Sequence, residues 1–99
     1  MSQKNAPSEP LVLNETLDLK AAAPLVSQLL ERRGSELRVD TSKVRRLGGQ
    51  CLQVLLSAKA TWEADEISLE FVDPSEDFIN ALQVFGFPAE KLMDQEFSL

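Results

Sequence analysis

The spacing of apolar positions changes several times along this chain, and each change marks an element. Leu11-Val12-Leu13 is a short apolar run, and Leu17 and Leu19 alternate with Thr16 and Asp18. A period of two predicts a strand, here bent near Asn14. From Lys20 to Arg33 the period lengthens. Ala22, Leu25, Val26, Leu29 and Leu30 fall at i, i+3, i+4, i+7 and i+8, one stripe of an amphipathic helix. Pro24 fits only a first helical turn, which puts the start close before it. Gly34 after Arg32 and Arg33 predicts the stop, with two cations at the negative helix end. Glu36 to Val39 reads as a second strand with Leu37 and Val39 inward, and Asp40-Thr41-Ser42 as a polar turn.

Val44 and Leu47 then predict a short buried link, which Gly48 and Gly49 interrupt. A second helix follows from about Gly49 to Ala64. Cys51, Leu52, Leu55, Leu56 and Lys59 line one broad face, extended by Ala58 and Trp62. So wide a face suits a helix wedged between a sheet and a neighbouring helix. Ile67, Leu69 and Phe71 alternate with Ser68 and Glu70 as a third strand. Asp73 is placed to cap a third helix, with Pro74 first inside it and Glu76 closing a capping box. Phe78, Ile79, Leu82 and Phe85 form its apolar face; Gly86 ends it, and Phe87 folds back onto its last turn. Ala89 to Met93 is a short fourth helix.

Strands alternating with helices imply an α/β fold: a small, largely parallel sheet with right-handed crossovers and helices packed mainly on one face. A chain of 99 residues suits one domain. The expected division is a flexible tail over residues 1–10 and a single domain over 11–99.

Composition narrows the chemistry. Cys51 is the only cysteine and there is no histidine. No internal disulfide, imidazole base or usual zinc site can be assembled. We therefore expect no enzyme, no catalytic residue, no metal and no cofactor. The first residues lack the apolar core of a signal peptide, and no stretch reaches a bilayer span, so a cytoplasmic location without membrane insertion is expected. The net charge is −6, and eight carboxylates but no cation lie between Lys59 and Lys91. Such a surface repels nucleic acid. Lys43, Arg45 and Arg46, in contrast, cluster within four residues.

The segment Val39 to Leu56, VDTSKVRRLGGQCLQVLL, orders a strand, a polar turn, an apolar link, Gly-Gly and an apolar helix. It resembles the STAS domain, the fold of bacterial anti-sigma factor antagonists. Glu15 to Ala22 looks like that family's strand-to-helix junction, and Phe78 to Leu92 is similar to its last helices. The resemblance covers about residues 11 to 95. In the family, Asp-Ser-Ser-Gly or Asp-Ser-Thr-Gly opens the helix, and the hydroxyl is phosphorylated by a partner kinase. Here Gly48 stands at the Asp, Gly49 and Gln50 at the two hydroxyl residues, and Cys51 at the Gly. The resemblance thus implies a domain without the usual phosphoacceptor. The string Leu47 to Leu55, with Trp62 beyond it, is similar to a STAS subgroup of bacterial chemotaxis operons, the CheS-like proteins, which implies a histidine kinase or anti-sigma-type regulator as partner.

The expected partner-binding residues are Lys43, Arg45, Arg46, Gly48, Gly49, Gln50 and Gln53. Free N–H groups at a helix start and nearby cations both favour an acidic partner. Each residue also has a structural reading. The glycines suit a tight turn, the three cations a solvated loop, Cys51 and Trp62 the core, and Thr41 and Ser42 a hydroxyl turn, with Ser42 open as a displaced phosphosite. Other functions stay open: the STAS subunit of a lipid-transport ATPase complex, an anti-sigma factor antagonist, and a small nucleotide-binding domain. The spacing of a phosphate-binding P-loop is missing around GGQC. A homodimer is compatible with the sequence.

Overall fold

The computed structural model describes residues 9–93. The expected tail therefore lies outside the described residues except for Glu9 and Pro10. Nine short elements follow: β1 (Leu11–Val12), β2 (Thr16–Leu17), α1 (Leu19–Glu31), β3 (Leu37–Asp40), β4 (Arg46–Leu47), α2 (Gly49–Ala64), β5 (Leu69–Val72), α3 (Glu76–Val84) and α4 (Ala89–Met93).

Every strand pairing is parallel. β1, β3 and β5 form one sheet in that order, and β2 and β4 form a separate pair. The single bent strand expected over residues 11–19 is thus two strands in two sheets. Leu13 still donates to the Asp40 carbonyl at 3.0 Å, and the chain then crosses over to meet β4. Leu19 leaves the strand altogether and opens α1.

Alternation across the three-stranded sheet sorts its faces. Leu11, Val39 and Phe71 share a rung and are buried, as are Leu37 and Leu69. On the reverse face Arg38 lies opposite Glu70, and both are exposed. The helices therefore cover one face, and the core lies between that face and α1, α2, α3 and α4.

α1 starts within one residue of the expected Lys20, but Pro24 lies deeper in it than expected, and the start of α3 differs. α1 begins at Leu19, five residues before Pro24, because the Asp18 carboxylate caps the Ala21 N–H at 3.1 Å. Pro24 sits in the second turn, where its missing N–H leaves the Lys20 carbonyl without its helical donor. α1 also ends at Glu31, before the arginines. Arg32 and Arg33 close a tighter turn onto Leu29 and Leu30, and Gly34 follows at φ +95°. α3 is capped by Ser75, which accepts from the Phe78 N–H at 3.0 Å, and not by Asp73. Asp73 instead takes a left-handed conformation at φ +54° that turns the chain out of β5. Pro74 then precedes the cap, and Glu76 stands first in the helix, too early to close a capping box. At the other end, Phe87 N–H reaches the Leu82 carbonyl and Gly86 N–H the Gln83 carbonyl, both at 2.9 Å. That paired bonding around a left-handed glycine is the expected helix stop.

Candidate partner-binding surface

The loop from Asp40 to Gly48 is built on backbone bonds. The Ser42 N–H donates to Asp40 Oδ1 at 2.8 Å, closing a local turn. Hydrogen bonds from Ser42 hold the Asp40 carboxyl below its ordinary range, with a smaller contribution from the charge of Lys43. Thr41 is fully buried, and its hydroxyl donates to the Val72 carbonyl at 3.1 Å. Val44 is buried and its carbonyl accepts from the Ser75 hydroxyl at 2.6 Å. The N–H groups of Arg45 and Arg46 both reach the Glu15 carbonyl, at 2.7 and 3.0 Å. Val44 and Leu47 thus anchor the loop inward, while Lys43, Arg45 and Arg46 point their side chains to solvent. Among the described residues the ion pairs are Arg33–Asp65 and Lys59–Glu63; the three loop cations are in neither.

Gly48 is the N-cap of α2, and no side chain caps that helix. Its N–H donates to the Leu17 carbonyl at 2.8 Å. A Cβ at Gly48 would stand 3.3 Å from that same oxygen, so proximity to β2 favours glycine there. Gly49 is exposed, and the nearest atoms to a Cβ on it would be the ring of Phe85, at 3.7 Å. Gln50 and Gln53 are exposed one turn apart on α2. Cys51 points inward beside them. It is buried, and its thiol lies 3.3 Å from the Asp18 carbonyl. Burial first, then the negative charge of Asp18, pushes its pKa up. The helix start does not activate this thiol.

The seven expected residues therefore occupy one continuous stretch of loop and helix start. The structure adds apolar neighbours that sequence reasoning assigned elsewhere. Leu19 is 72% exposed and follows Asp18, whose Cα approaches Gly48. Phe85 lies against Gly49 and is 46% exposed, and Val84 beside it is 85% exposed. On α1, Val26 and Leu30 are exposed although they belong to the apolar stripe. A stripe of five apolar positions on α1 was the available signal, because one sheet face can cover only part of it. Leu25 and Leu29 take the core side.

Trp62 is buried, and its indole N–H donates to the Ser35 carbonyl at 2.8 Å. Among the described residues no group of three acidic, cysteine or histidine side chains could hold a metal ion, and no helix is long and apolar enough to cross a membrane.

The family model described as "Mlab, STAS domain" matches residues 2–93. No curated protein and no solved structure gives a significant match. Parallel strands, an apolar link ending in Gly-Gly, and the long α2 that follows it agree with that assignment, and the chain belongs to the STAS domain family as an anti-sigma factor antagonist-like module.

Proposed function

We propose that this protein is a non-catalytic interaction module that holds a regulatory protein against the loop Lys43–Gln50 and the start of α2, without a phosphorylation switch at that point. One observation carries the reading. Phe85, 46% exposed, lies against Gly49 with the exposed Val84 next to it in the chain; Leu19, 72% exposed, follows Asp18, whose Cα approaches Gly48; and Lys43, Arg45 and Arg46, two to five residues before Gly48, have no ion-pair partner among the described residues. Apolar surface ringed by charge is the usual make-up of a protein-binding patch. Gly49 and Gln50 carry no hydroxyl, so a kinase finds no acceptor where the family resemblance places one. Binding there is then constitutive, and control comes from the partner.

The likeness of Leu47 to Leu55 to the chemotaxis-operon subgroup favours a histidine kinase or related regulator as that partner. A second reading rests on the family description, which carries the name Mlab: a STAS subunit seated on the ATPase of a lipid-transport complex. Co-purification from the native host separates them. A signalling kinase or anti-sigma-type protein supports the first reading, and an ATPase the second. Recovery of neither, at native expression, contradicts both. With Arg45→Glu plus Arg46→Glu the recovered partner should bind at least tenfold more weakly, or about 1.4 kcal/mol, with folding intact. Unchanged affinity removes the loop from the interface.

A further inference from the structure

We draw no further inference here: the strongest candidate, the apolar groove between α1 and α2 lined by Val26, Leu30, Val54 and Ser57, is an unpartnered face, and nothing in the structure shows what covers it.

Discussion

At the scale of single residues, the turn before α2 shows what glycine and cysteine contribute here. Gly48 takes an ordinary extended conformation, so its requirement comes from the Leu17 carbonyl and not from backbone strain. Alanine there would crowd a rigid oxygen and is a poor helix cap. Gly48→Ala should lower stability by about 1 kcal/mol, read as a lower urea midpoint with unchanged slope. Cys51 should be inert in the folded protein, because burial raises its pKa and shields it. A disulfide reagent should label it at the rate of global opening, and rapid labelling of the native state would contradict the packing described.

Arg33 and Asp65 give a pH prediction at the same scale. The guanidinium donates twice, Nε to Oδ2 at 3.0 Å and Nη2 to Oδ1 at 3.2 Å. The hydrogen bond from Arg33 holds the Asp65 carboxyl below its ordinary range. A depressed carboxylate adds stability above its unfolded pKa of about 3.9, and that stability is lost as pH falls through the lower folded value. Wild type should therefore melt above Arg33→Ala at neutral pH, with the gap closing in acid. The pair is at the surface, so the gap should be small and shrink with salt. A gap that widened in acid would contradict the assignment.

At the scale of elements, Ser75 joins two parts of the fold. Its hydroxyl caps α3 and donates to the Val44 carbonyl, and its N–H donates to the Thr41 carbonyl at 3.2 Å. Loss of the cap costs about 1 kcal/mol, and the orphaned Val44 carbonyl adds to it. Ser75→Ala should also loosen the loop that carries Lys43, Arg45 and Arg46. Faster amide exchange at residues 42–46 would report that coupling, and exchange confined to α3 would deny it.

The elements also show what local pattern can and cannot tell. α2 is legible over its full length, because its apolar face is unbroken and glycines mark its start. The stop at Gly86 is legible because it depends on one residue. The caps of α1 and α3 are not. Asp18 and Ser75 compete with nearby residues of equal capping propensity, and the choice is made by distant partners such as the Thr41 and Val44 carbonyls. Pairing of β2 with β4 is equally non-local. For the candidate site, the loop cations and Gly-Gly turn stood out in the sequence. Phe85, Leu19, Val26 and Leu30 did not, since an apolar residue at helical spacing looks the same whether a core or a partner covers it.

At the scale of the molecule, the surface divides. The reverse face of the sheet is mixed, with Arg38 opposite Glu70 and, on the next rung, Val12, 43% exposed, beside Asp40 and Val72. The other exposed large apolar side chains are Leu19, Val26 and Leu30 on α1 and Val84 and Phe85 at the end of α3, of which Phe85 lies against the start of α2. Val84 is nearly free of contacts, so Val84→Glu should change stability by less than about 0.5 kcal/mol and still weaken partner binding. A stability loss without a binding loss would reverse that assignment.

Hydrogen exchange on the complex with the partner recovered from the host tests the binding surface most directly. Protection should appear over residues 43–53, in protein that carries no phosphate at residues 48–51. Protection centred on the Arg38–Glu70 face, or binding that appears only after phosphorylation of another residue such as Ser42, would contradict a constitutive interface at the start of α2.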